Sequence, residues 1–219
     1  MVFVYTAPRL LIAERVAPRY DTALALIYSV RRVLGAGTEL RLITNSDIYG
    51  VYIDDDDAVL GAVSETVHES RFNVALVKDH DDGTYAHPVT SLSAGETRVH
   101  VTWDLGSLQW WLILAVLETD SSSYYADVET SSDGATWSVS VRCAGTRCTV
   151  VSRQYFRYIR LRSTNNSPSI AANTAFRYYT LEVYPENLRK TLVVAADSVK
   201  TVRVISRYAS QLLEFMRLT

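Results

Sequence analysis

The sequence predicts an all-β protein, with one larger β domain and a small second β unit made of both chain ends. Three observations point there: β-branched and aromatic residues recur at period two, Gly, Asn, Asp and Ser clusters divide them, and the two flanks of the chain look alike. The 219 residues suffice for one large β domain or two small ones.

Taken in order, the first patterned stretch is "DTALALIYSVRRVLG" (21–35). Its Asp/Thr start, Ala and Leu content and closing Gly suit a helix as well as a strand. "TELRLIT" (38–44), "YGVYI" (49–53) and "TRVHVTWDL" (97–105) alternate as strands do. "WWLILAVL" (110–117) is apolar throughout, which fits a strand covered on both faces and is far short of the ~20 residues that span a bilayer. "YYADVETSSDGATWSVSV" (124–141) reads as two strands about a Ser-Asp-Gly turn, with Tyr125, Asp127 and Glu129 opposite Ala126 and Val128, and Trp137, Val139 and Val141 together on one side. "FRYIRLRS" (156–163), "YYTLEVY" (178–184) and "KTVRVIS" (200–206) follow, and "ASQLLEFMRL" (209–218) fits a short helix or a strand. Simple alternation through "RQYFRYIRLR" sets Arg153, Arg157 and Ile159 against Phe156, Tyr158 and Arg160.

The flanks repeat an order of elements. "RRVLGAGTELRLITNSDIYGVYI" (31–53) and "RKTLVVAADSVKTVRVISRYASQLLEF" (189–215) each run basic pair, apolar strand, turn, alternating strand, turn, apolar strand, with "RLIT" answered by "RVIS". This suggests two three-strand units pairing around an inserted middle. Segments 1–65 and 186–219 then form the small β unit and 66–185 the inserted larger domain. "YIDDDDAVLGAVSETVHES" (52–70) reads as a linker whose four aspartates form a solvated turn.

Composition narrows the function. The net charge of −2 gives no general pull toward nucleic acid or acidic membrane. No zinc spacing, His-Glu-x-x-His, nucleophile elbow, phosphate loop or dinucleotide fingerprint is present, so no enzyme is expected. His80, Asp81 and His87 are a loop rather than a metal corner. The N-terminus has no signal-peptide pattern, so either the sequence begins at a mature end or the general secretory route is not used, with cytosolic residence and release with a virus particle both open. Lysine is confined to Lys78, Lys190 and Lys200, and this arginine preference suits a thermophile or a GC-rich genome. Cys143 and Cys148 face each other across an Ala-Gly-Thr-Arg loop, close enough for a disulfide; two buried free thiols are the alternative.

From about Phe72 to Tyr184 five motifs stand in order: "NVALVKDHDDGTYAH", "VHVTWDLGS", "YYADVETSSDGATWSV", "QYFRYIRLR" and "LEVY". Their order resembles the discoidin family, also called the coagulation factor five/eight C-terminal type, an eight-stranded jelly roll. The resemblance covers about half the chain. It implies that Trp137 packs inside and that the Asp133-Gly134 turn is architectural. It also implies a structural calcium ion on Asp79, Asp82 and Thr84, with Asp81 as substitute, although Thr180 stands where the family often has a glutamate ligand. Ligands are expected at loops of one end, on Tyr85, His87, Tyr124, Tyr125, Asn165 and Asn166.

The expected function is a non-enzymatic structural or adhesion protein of an extracellular assembly such as a virion. Its arms would meet neighbouring subunits and its sandwich a surface glycan, without nucleic acid or membrane insertion. The alternative is a free-standing carbohydrate-binding module of a secreted protein.

Overall fold

The computed structural model describes residues 11–16, 20–21, 26–34, 39–43, 48–53, 56–186, 191–193, 198–206 and 213–218, with side chains given for 52–53 and 56–186. The chain divides into two units, residues 1–54 with 187–219, and residues 55–186. All fourteen extended elements described pair antiparallel. No helix among the described residues is long and apolar enough to cross a membrane.

The N-terminal flank supplies β1 (Leu11–Val16), β2 (Tyr20–Asp21), β3 (Leu26–Leu34), β4 (Glu39–Ile43) and β5 (Ile48–Ile53). The inserted part holds β6 (Ser64–Val67), β7 (Thr97–Thr119), β8 (Tyr124–Ser131), β9 (Ser138–Ala144), β10 (Cys148–Asn165) and β11 (Phe176–Pro185). The C-terminal flank adds β12 (Thr191–Val193), β13 (Ser198–Ser206) and β14 (Leu213–Leu218). Both stretches that fitted helix or strand thus contain strands, β3 and β14; residues 22–25 and 209–212 lie outside the described residues.

The flank unit is interlaced. One sheet runs β1-β14-β4-β12 and the other β2-β3-β13-β5. The middle strand of each sequence repeat is inserted between the outer strands of the other: β4 lies between β14 and β12, and β13 between β3 and β5. The repeat therefore appears as two sheets exchanging their central strands, and the flanks satisfy each other's backbone pairing.

The inserted unit is a sandwich made largely by two long strands that each serve both sheets. The first half of β7 pairs with β6 and with the second half of β10, which continues through β8 to β9. The second half of β7 lies between the first half of β10 and β11. Counted as segments, this gives sheets of five and three strands, eight in all. The corner falls at Asp104-Leu105-Gly106-Ser107-Leu108, where the register jumps from Tyr158↔Asp104 to Phe156↔Gln109 and Arg157 is left over as a bulge. Asp104 closes the corner: Oδ1 accepts the Gly106 N–H (2.8 Å), and both oxygens take the Arg157 fork (2.8 and 2.7 Å).

That bulge corrects the alternation read for β10. Beyond it, Ile159 and Leu161 join Phe156 in the core, while Tyr158, Arg160 and Arg162 lie opposite them on the outer face of the five-stranded sheet. The core also takes Val101, Trp103, Ile113, Ala115, Leu117, Ala126, Val128, Phe176, Tyr178, Leu181 and Val183. Burying each large apolar side chain contributes about 1.5–3 kcal/mol of transfer free energy. Leu112, Leu114 and Val116 are buried as well, so this part of β7 is covered on both faces.

Two sequence expectations fail here. Trp137 is half-buried outside the core; its indole N–H donates to Gly134 O (3.2 Å) and its ring lies under Arg160. A second bulge is the cause. Val128 pairs with Val141 but Glu129 with Val139, which breaks the period-two link from Val141 back to Trp137. The aspartate run is not wholly solvated either. Asp57 is buried, with Oδ1 accepting the amides of Val59 and Val183 (3.0 and 2.9 Å) and Oδ2 facing His80 Nε2 (2.9 Å). Burial raises its carboxyl above the ordinary value, against the pull of His80. Residues read as linker thus tie into the sandwich, as do Ala58 and Val63 through their bonds to Val183 O and Asp104 O.

The Ser-Asp-Gly turn is architectural. Asp133 accepts the amides of Thr136 and Ala135 (2.8 Å each) and the Ser131 hydroxyl, which hold its carboxyl down at about 2.

Candidate ligand-binding site

The strand ends sort the loops. The segment 79–96 and the loops 120–123, 145–147 and 166–175 gather at one end of the sandwich, joined by the bonds of Asn166 N to Ser123 O, Gly145 N to Thr119 Oγ1 and Gly95 N to Asn165 O. The corner and the 132–137 turn occupy the other end, where Ala58 and Glu186 bond to Val183 and Trp110. The chain therefore enters and leaves the sandwich away from its loop end.

The Asp-rich turn is built from its own hydrogen bonds. Asp79 Oδ1 accepts the Asp81 amide (2.9 Å), Asp79 Oδ2 the Thr84 hydroxyl (2.6 Å), and Asp81 Oδ1 the Gly83 amide (2.9 Å). Asp82 O accepts from Arg147 Nη2 (2.6 Å), so a guanidinium already caps this turn. Among the described residues no three His, Cys, Asp or Glu converge as metal ligands. Both Asp79 oxygens and Asp81 Oδ1 are thus taken up by hydrogen bonds within the turn. Thr180 is buried with its hydroxyl unpartnered. Nor do His80, Asp81 and His87 form a corner: His80 faces Asp57 and His87 faces Pro88 O.

Arg147 is presented by a stapled hairpin. Cys143 and Cys148 are disulfide-bonded with Cα atoms 5.8 Å apart, closing the four-residue loop. From it the Arg147 guanidinium lies 3.9 Å over the Tyr179 ring, which packs against Tyr85 (5.2 Å). Burial and the Glu118 carboxylate raise the Tyr179 phenol above its ordinary value.

Tyr85 and His87 are brought together, 6.2 Å between ring centres, on the wall of a cleft of about 310 Å³. Arg71, Asn73, Leu76, Ala86 and Val89 complete it. Sequence reading missed Arg71 and Asn73; the only signal was their place just before the Val74–Val77 3-10 turn. Among the described residues the side chains of Arg71, Asn73 and Tyr85 have no hydrogen bond or ion pair, apart from ring contacts of Tyr85. His87 engages Pro88 O through Nδ1 (2.7 Å), which makes Nδ1 the donor and leaves Nε2 as an acceptor. No carboxylate lines this cleft.

Val89 also borders a second cleft of about 370 Å³, lined by His68, Glu69, Ser70, Thr90 and Arg98. Its polar groups are largely spent. Arg98 binds Glu69, Glu96, Thr90 and Ser91 O, and Glu69 also takes the Val89 amide and the buried His100.

The remaining candidates lie elsewhere. Tyr124 packs on Phe176 (5.5 Å) against the core, and Tyr125 lies under Arg142 on the outer face of the five-stranded sheet. Asn165 is buried; its amide donates to Leu92 O, Ser93 O and Ser169 O and accepts from Ser167 N. Asn166 is exposed beside Ser123.

No protein-family model matches the sequence, and no curated protein matches it. Solved structures similar to it include chitosan-binding module 1 of a chitosanase/glucanase from Paenibacillus sp. IK-5, 16% identical with TM-score 0.40, covering 58% of this chain and 98% of that one. Another is CBM32-3 of a family 31 glycoside hydrolase from Clostridium perfringens, at 14% identity and TM-score 0.34, over 57% and 89% of the two chains. A third is the CBM32 of AlyQ in complex with 4,5-unsaturated mannuronic acid, at 17% and 0.36, over 56% and 95%. No ligand or site residue is carried over from them.

Proposed function

We propose that the sandwich is a non-catalytic carbohydrate-binding module whose ligand sits in the Tyr85–His87 cleft. One observation carries this reading: in a unit whose polar side chains are otherwise heavily paired, this cleft groups unspent donors and acceptors beside an aromatic ring. Arg71 and Asn73 donate, Asn73 and His87 Nε2 accept, and the Tyr85 ring offers apolar surface to C–H groups. A sugar, with hydroxyls at its edge and C–H groups on its face, matches that combination. An extracellular setting accords with the disulfide.

The flanks pair with each other, as the sequence repeat suggested, and nothing in that pairing points to a virion or to a neighbouring subunit.

The test is a glycan array probed with the full-length chain, followed by calorimetry on the best ligand. Tyr85→Ala should weaken binding about tenfold, one aromatic contact being worth roughly 1–1.5 kcal/mol, and His87→Ala should weaken it too. A chain that binds no glycan, or binds equally well without both side chains, overturns the proposal.

A further inference from the structure

The outer face of the five-stranded sheet carries a charge ladder that neither the core nor the cleft uses. One rung runs Arg142 (β9), Asp127 (β8), Arg162 (β10), and the next joins Glu129 (β8) to Arg160 (β10). Asp127 and Glu129 are buried beneath the guanidinium groups, 0% and 2% exposed. Asp127 Oδ1 accepts from Arg142 Nε (2.8 Å), and its Oδ2 from Arg142 Nη2 (2.9 Å) and Arg162 Nη2 (2.7 Å). Glu129 takes Arg162 Nη1 on one oxygen and Arg160 Nε on the other, 2.7 Å each.

Both carboxylates are thus engaged on both oxygens, while three guanidinium groups face two of them. Among the described residues the terminal nitrogens of Arg160 and Nη1 of Arg142 have no hydrogen-bond partner, and these side chains are 20% and 43% exposed. Each lies over a ring, Arg142 4.3 Å from the centre of Tyr125 and Arg160 4.0 Å from that of Trp137. To solvent the ladder therefore offers fixed, unspent N–H donors with a net positive charge. The neighbouring Asp104 is neutralised by Arg157.

We propose that this face is a second binding surface, for an acidic polysaccharide whose carboxylates or sulfates meet Arg142 and Arg160. The donors are spread over three strands, on the order of 10 Å across, and no cleft encloses them. That suits an extended chain bearing repeated anions rather than one small ion. A protein partner is disfavoured because the ladder has no apolar centre. Single-stranded nucleic acid is disfavoured because one face of Trp137 and of Tyr125, the faces it would stack on, is covered by arginine.

The test uses the full-length chain on immobilised polygalacturonate and heparin, with neutral dextran and single-stranded DNA as controls, over a series of NaCl concentrations. Retention on at least one acidic polysaccharide should fall as salt rises. Arg142→Gln with Arg160→Gln should weaken it at least about tenfold, two charge-assisted contacts being lost, while Arg153→Gln, the same change on the three-stranded sheet, leaves it unchanged. Preference for polygalacturonate assigns carboxylates, and preference for heparin assigns sulfates. If near-UV circular dichroism shows the double variant misfolded, Arg142→Gln alone carries the test, with about a threefold loss expected. Three results overturn the proposal: no retention at low salt, unchanged retention in the folded variant, or tighter binding to DNA.

Discussion

Removing the Cys143–Cys148 disulfide should lower stability by about 2–3 kcal/mol and also weaken the cleft's ligand, although neither cysteine lines the cleft. The two residues are five apart in sequence, so the closed ring is short. Loop-closure entropy for a ring of about six residues gives roughly 2 kcal/mol at 25 °C. Cys143 is fully buried in the core, and truncation to alanine there adds on the order of 1 kcal/mol for lost packing. Against a usual domain stability of about 5–15 kcal/mol the sandwich should stay folded. The assay is urea denaturation of Cys143→Ala/Cys148→Ala followed by tryptophan fluorescence. Trp103, Trp110, Trp111 and Trp137 all lie in the sandwich, so the signal reports that unit without the interlaced flanks. Binding should fall about three- to tenfold in the same variant, because the hairpin holds Arg147 on Tyr179 and on Asp82 O, and Tyr179 backs Tyr85. A stability change below about 0.5 kcal/mol refutes the ring-entropy reasoning. A destabilised variant that binds its glycan normally refutes the path from hairpin to cleft.

Two further perturbations test the frame. Gly106 has φ +81° and its added Cβ would meet Val63 Cγ2 at 2.7 Å, but Val63 is 71% exposed and free to turn away, so Gly106→Ala should cost about 1–2 kcal/mol, mainly backbone strain. Gly61, with open space and no positive φ, is the control, where alanine should be neutral or stabilising by up to about 1 kcal/mol; equal urea midpoints for the two variants would show that the corner is not strained. Burial holds the His100 imidazole below its ordinary value near 6.5, against the pull of Glu69, so the unfolded chain binds the proton more readily. Stability should therefore fall as pH drops below about 6.5 toward the folded value, and His100→Gln should flatten the urea midpoint between pH 7 and 5; a wild-type midpoint constant over that range contradicts the assignment.

The fold class was legible because period-two alternation and turn residues are local signals, and β-branched runs such as "KTVRVIS" admit little else. What escaped was set by register. Trp137 and the Arg157 bulge both sit where one extra residue reverses the faces of a strand, and no neighbour in sequence announces such an insertion. Asp57 failed for a related reason. Its partners are Val183 and His80, 126 and 23 residues away, and four aspartates in a row look solvated until one is shown its amides.

The candidate site was half legible. Tyr85 and His87 follow a recognisable Asp-Gly-Thr turn, and the structure sets them on one cleft. Asn165 shows why the others were harder to read: an asparagine at a loop start serves a ligand or organises its own loop, and only three surrounding carbonyls decide for the second. The aspartates of the turn make the same point with charge. Their spacing suits a cation, yet the cation that reaches them is Arg147, contributed by a hairpin more than sixty residues on. A tethered guanidinium carries its own anchor, the disulfide at the adjoining Cys148. If Arg147 stands in for a metal ion at this loop end, chelators should leave the glycan affinity untouched while Arg147→Ala lowers it, and the opposite pair of results would assign a metal there.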